Sequence, residues 1–188
     1  MAANKMVAQE VLREKMFIHT DRNYYQTAEI IWFRIYNVNV NKSSLTHISK
    51  LAYVELLDSS NMPVLQGKIR LDEGTGHGSF MVPSNTPTGL YTLRGYTNWM
   101  KNFGAAAFFH KEIAIVNAAN GKRSYVLNDA SNTTYPNDVF NVSTSRQQYE
   151  KRQKVTVNVS STNTQAACNM SVSVYRLDSL IKNDPVSF

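Results

Sequence analysis

The chain has 188 residues, 43% hydrophobic and 18% charged, enough apolar material for a packed core and room for one large or two small domains. Its net charge of +6 is spread evenly: residues 1–118 hold 12 Lys/Arg against 9 Asp/Glu, and the remainder 8 against 5. A charge so diffuse, with one tight cluster at Lys151, Arg152 and Lys154, lacks the dense stripe that nucleic acid attracts. A single cysteine, Cys168, excludes an internal disulfide.

Residues 1–14 read as a lead rich in helix formers, with Val7, Val11 and Leu12 on one stripe. No signal peptide is visible there, and no run of about 18 apolar residues follows to span a membrane. From 15 onwards the helix signal vanishes. Strand candidates follow at 15–21, 29–37, 51–58, 64–72, 77–83, 89–99 and 108–117, each bounded by Gly, Pro, Asn, Asp or Ser. Period-two alternation places Ile31, Phe33 and Ile35 on one face, and Trp32, Arg34 and Tyr36 on the other. Ala52, Val54 and Leu56 share a face, as do Tyr91, Leu93 and Gly95. Seven short strands with turn signals describe an all-β, immunoglobulin/fibronectin-like antiparallel β-sandwich over 15–117.

Residues 118–137 are polar and read as a linker with one short strand at 124–127. Three further candidates, at 139–144, 155–160 and 170–176, are too few for an independent sandwich. They predict an incomplete second β domain over 138–188.

Sites of chemistry are scarce in the pattern. Gly74-Thr75-Gly76-His77-Gly78 precedes a strand, not the helix N-terminus that a phosphate loop needs, and reads as a hairpin. His19 and Asp21 share a strand face, but one pair is not a metal site, and the other histidines fall in separate segments. Asp21 is better placed to accept backbone N–H bonds in a turn, with Arg22 pairing nearby. No serine sits in a Gly-x-Ser-x-Gly elbow, and Cys168 has no base partner in sequence. No catalytic residue, cofactor or metal is expected.

The aromatic segment running through Tyr96, Trp99, Met100 and Phe103 is the best candidate for function. It either plugs the end of the sandwich or presents a contact surface. Together with Trp32 and Tyr36 it makes the expected interaction surface. A carbohydrate-binding module is the alternative, with Trp32, Tyr36, Tyr96 and Trp99 as a stacking platform.

The residues also carry a resemblance. Glu14-Lys15-Met16-Phe17-Ile18-His19-Thr20-Asp21-Arg22-Asn23-Tyr24-Tyr25, then Ile31-Trp32-Phe33-Arg34, resemble the opening of a macroglobulin-type domain of the alpha-2-macroglobulin superfamily. Tyr53-Val54-Glu55-Leu56-Leu57-Asp58, Gly76-His77-Gly78-Ser79-Phe80, Pro87-Thr88-Gly89-Leu90-Tyr91-Thr92-Leu93-Arg94 and Tyr96-Thr97-Asn98-Trp99-Met100-Lys101-Asn102-Phe103-Gly104 continue it in the family's order. The version is similar to that of large exported Bacteroidetes proteins associated with TonB-dependent outer-membrane transport. A weaker echo of the next such domain runs through Tyr149–Val157 and Asn169–Tyr175.

The resemblance implies a non-catalytic module of a larger exported, periplasmic or outer-membrane-associated protein. Its partners would be the other domains of that protein and an outer-membrane transporter. The superfamily's thioester motif, of Cys-Gly-Glu-Gln type, is not what surrounds Cys168, so covalent protease trapping is not expected.

Overall fold

The computed structural model describes residues 11–119, 140–161 and 170–174. These fall into two compact units, the first holding 11–119 with 171–174, the second 140–161 with Met170.

The first unit is built from nine strands: β1 (Glu14–Thr20), β2 (Tyr24–Gln26), β3 (Ile30–Asn39), β4 (Ser44–Leu45), β5 (Leu51–Leu57), β6 (Pro63–Arg70), β7 (Thr75–Met81), β8 (Gly89–Thr97) and β9 (Phe109–Val116). One sheet joins β1, β3 and β4, with β7 also paired to β3; the other runs β2-β9-β8-β5-β6. All pairings are antiparallel except β2 with β9, which is parallel. All seven expected strands are present. Two short ones, β2 and β4, are additional.

The facing surfaces follow the alternation. Met16, Ile18, Ile31, Phe33, Ile35 and Phe80 from the first sheet meet Ala52, Val54, Leu56, Tyr91, Leu93, Ile113 and Ile115 from the second in one core cluster. Close approach of the layers depends on glycine at inward positions. A Cβ on Gly78 would lie 2.8 Å from both Phe33 and Ile69, and one on Gly95 would meet Ile18 Cδ1 and the sulfur of Met16. Gly76 and Gly78 therefore belong to strand β7 and not to the expected loop: the core needs the space a side chain would fill. The turn before them is made by Glu73 and Gly74, both at positive φ (46° and 76°).

Residues 11–13 carry no helix, and 1–10 lie outside the described residues. The second unit shows β10 (Phe140–Thr144) paired antiparallel with β11 (Val157–Ser161). The third strand expected there, at 170–176, is not formed over 170–174; the expected strand at 124–127 and Cys168 lie outside the described residues.

Candidate functional site

The six expected surface residues are divided among three places. Trp32 and Tyr36 lie on the outer face of the first sheet. Trp32 is 57% exposed, whereas Tyr36 is buried, with the Arg34 guanidinium 5.9 Å from its ring centroid. Tyr36 is flanked across the strands by half-buried Phe17 and by Thr75. Met81, also strongly exposed, lies two residues from Ser79, the cross-strand partner of Trp32, and so shares its face.

The turn beneath Trp32 is fixed by Asp21. Its Oδ1 accepts the Trp32 N–H (3.0 Å), while its own N–H donates to the Trp32 carbonyl (3.0 Å). Arg22 pairs with Asp21 at 3.2 Å and with Glu29 at 3.3 Å. The Tyr25 hydroxyl, buried, also donates to Asp21; burial first, then that bond, push the phenol well above its ordinary range. Asp21 thus plays the turn role its position suggests.

Tyr96 lies on the outer face of the second sheet and is buried there between two rings. Tyr53 stacks on it at 5.3 Å and 12°, and Phe108 at 4.5 Å and 19°. Lys101 caps the stack, with Nζ 5.1 Å from the centroids of both Tyr53 and Tyr96. Beside it, Glu55 accepts from Arg94 Nε (2.9 Å) and Nη2 (2.6 Å), from the Tyr96 hydroxyl (3.0 Å) and from Gln66 (3.0 Å). Burial pushes the Glu55 carboxyl up. The bonds from Arg94, Tyr96 and Gln66 outweigh it and hold the group below its ordinary value. Tyr96 is raised, by burial first and then by its bond to Glu55.

The remaining three sit at the end of the second sheet. The expected strand 89–99 stops at Thr97, and two single turns of 3-10 helix follow, Met100–Phe103 and Ala105–Ala107. Met100 is fully buried, so it plugs the sandwich. Trp99 is 38% exposed; its indole N–H donates to the Leu12 carbonyl (3.0 Å) and its ring meets Phe103 edge-on at 6.3 Å. Arg13 lies 5.3 Å over the Phe103 ring.

Tyr36, Tyr96 and Met100 are thus closed to any partner, which corrects the expected surface. Trp32, Trp99 and the half-buried Phe103 remain accessible. The stacking platform proposed for sugars is not assembled, because Trp32 and Tyr36, Tyr96, and Trp99 occupy separate surfaces. Sequence reasoning missed Tyr53, Phe108 and Lys101, which meet Tyr96 only through the β5–β8 register and the loop after β8. Among the described residues no group of three His, Cys, Asp or Glu converges as a metal site, and no helix is long and apolar enough to cross a membrane.

No family profile and no curated protein matches this chain in sequence. Among solved structures, Escherichia coli alpha-2-macroglobulin activated by porcine elastase is similar over 55% of this chain and 8% of its own, with 14% identity and a TM-score of 0.45. Salmonella alpha-2-macroglobulin reacted with methylamine is similar over 72% of this chain and 7% of its own, with 12% identity and a TM-score of 0.45. A CARDB domain from Pyrococcus furiosus, in complex with di-metal ions, aligns over 58% of this chain at 9% identity and a TM-score of 0.38. The chain spans less than a tenth of the length of either macroglobulin. These are likenesses of strand arrangement, and the fold stands on the sheets described above.

Proposed function

We propose that this chain is a non-catalytic architectural and interaction module, of macroglobulin type, within a larger exported and envelope-associated protein. One observation carries the reading: the buried carboxylates hold strands together. Glu55 ties β5 to β6 and β8 through Gln66, Arg94 and Tyr96. Glu14 ties β1 to the Ser49 loop and to Thr97 of β8, accepting from Ser49 Oγ (2.7 Å) and Thr97 Oγ1 (2.6 Å). Carboxylates saturated in this way are not free for general acid or base work. Among the surfaces left for other molecules, the outer face around the exposed Trp32 and Met81 is the natural seat of a neighbouring domain. The motifs of residues 14–104 support the superfamily, and with it an exported protein and an outer-membrane transporter as a more distant partner.

Tryptophan emission tests the docking face. In a Trp99→Phe background, Trp32 should emit as a wet indole from this chain and shift to the blue in the full-length protein. Identical emission from both would remove the face from the proposal.

A further inference from the structure

A second surface, independent of the Trp32 face, lies where the two sheets converge. Strand β6 is the last of its sheet; among the described residues it pairs with β5 on one side and with no strand on the other. Its chain turns directly into β7, an edge of the opposite sheet, through a bridge between Asp72 and Thr75. The two meet so closely that a Cβ on Gly76 would lie 2.9 Å from the Arg70 carbonyl oxygen. Outside this corner is an open cleft of about 560 Å³, lined by Arg34, Lys68, Arg70, Asp72, Thr75 and His77 among others.

The cleft is strongly cationic. Among the described residues Asp72 is its one carboxylate, and neither Arg34, Lys68 nor Arg70 is ion-paired. Arg34 donates to the Thr75 hydroxyl (3.3 Å), and Lys68 lies 5.9 Å from the Tyr53 centroid. His77 is opposite Arg34 in the β3–β7 register.

Cations on a free edge also deter random strand pairing, and that role accounts for Lys68 and Arg70. It does not account for Arg34, which comes from β3, the strand at the centre of the first sheet. The same charges that repel neutral or basic strands favour one carrying carboxylates, since opposite charges across a strand pair attract.

We propose that β6 is an acceptor edge for an extended acidic peptide segment, added as a further strand. Lys68 and Arg70 share one face, two residues apart, so the incoming strand needs acidic residues at alternating positions, about 7 Å apart. Its backbone supplies affinity through the ladder, and the carboxylates facing Lys68, Arg70 and Arg34 supply selection and register. The partner chemistry is therefore an acidic-x-acidic segment free to extend.

The test uses the full chain and a labelled decapeptide of alternating Glu and Val, followed by fluorescence anisotropy at low and high salt. Controls are the same peptide with Lys for Glu, the same peptide N-methylated at alternate residues, heparin and an oligonucleotide. The acidic peptide should bind, weaken with salt, and shift the amide resonances of β6. The Lys peptide and the N-methylated peptide should not bind. The Lys68→Glu, Arg70→Glu double variant should weaken binding by about tenfold or more. A Lys68→Gln, Arg70→Gln variant, checked for native dichroism, gives the same reading should the reversal fail to fold. Absence of peptide binding, or affinity unchanged in both variants, overturns the proposal. So does equal affinity for the N-methylated peptide, or binding of heparin or oligonucleotide alone; either would mark a generic polyanion patch.

Discussion

At the scale of the residue, Glu55 shows how a charged group becomes a structural one. It is buried on β5, and the two flanking strands present it with donors: Gln66 on β6, Arg94 and Tyr96 on β8. Leaving the partners in place while removing the charge strands a largely buried guanidinium, so Glu55→Gln should cost about 1–3 kcal/mol of unfolding free energy. The pH dependence has a definite sign. The folded-state carboxyl titrates below its ordinary 4.5, so its contribution is complete above that value and is lost as pH falls through the lower, folded one. Urea unfolding at a series of pH values should show a constant gap between wild type and Glu55→Gln from neutrality down to about pH 4.5, narrowing below it. A gap that widened in acid would contradict the depressed carboxyl.

At the scale of the element, the end of β8 decides what the aromatic segment can do. Thr97 is fully buried, donates to Glu14 on β1, and accepts the Met100 N–H at 3.2 Å. One hydroxyl thus ends the strand, turns Met100 into the core and closes one sheet against the other. Thr97→Val keeps the shape and removes the hydroxyl. It should destabilise the fold by about 1–3 kcal/mol and accelerate hydrogen exchange at the Met100 amide above the change seen elsewhere.

The same element shows what the sequence reveals and what it hides. Tyr91, Leu93 and Gly95 announce an inward face by alternation alone, because burial is periodic along one strand. Tyr96 breaks the rule. It points outward and is still buried, since its cover comes from Tyr53, Phe108 and Lys101, and the pairing of residues so far apart is not written in local pattern. Length sets a second limit: β2 and β4, of three and two residues, are too short to display a period. Composition sets a third. Gly76 and Gly78 look like a turn and are instead the thin places of a strand, while Val172 and Val174 alternate like a strand and lie in none, both strongly exposed.

At the scale of the whole molecule, the described core comes from the first 115 residues. Among the described residues, every member of the apolar cluster lies between Met16 and Ile115, and both faces of that cluster are supplied by β1 to β9. The polar ties that close it, Asp21 to Trp32, Glu14 to Thr97 and Glu55 to Arg94, also fall inside those bounds. Asn117 Nδ2, donating to the carbonyls of Ser84 (3.0 Å) and Thr86 (2.9 Å), seals the base of β9. Beyond Ala119 the described residues offer this unit one hydrogen bond, between Ser171 Oγ and His19 Nδ1 at 2.7 Å. A single half-buried hydrogen bond is worth about 1 kcal/mol against a domain stability of about 5–15 kcal/mol. A chain ending at Ala119 should therefore fold, keep the sheet-rich dichroism of the sandwich, and unfold in one cooperative calorimetric transition. Its stability should lie within about 1–2 kcal/mol of the same unit in the full chain. Failure of the truncated chain to fold would mean that residues after 119 supply core to the first unit.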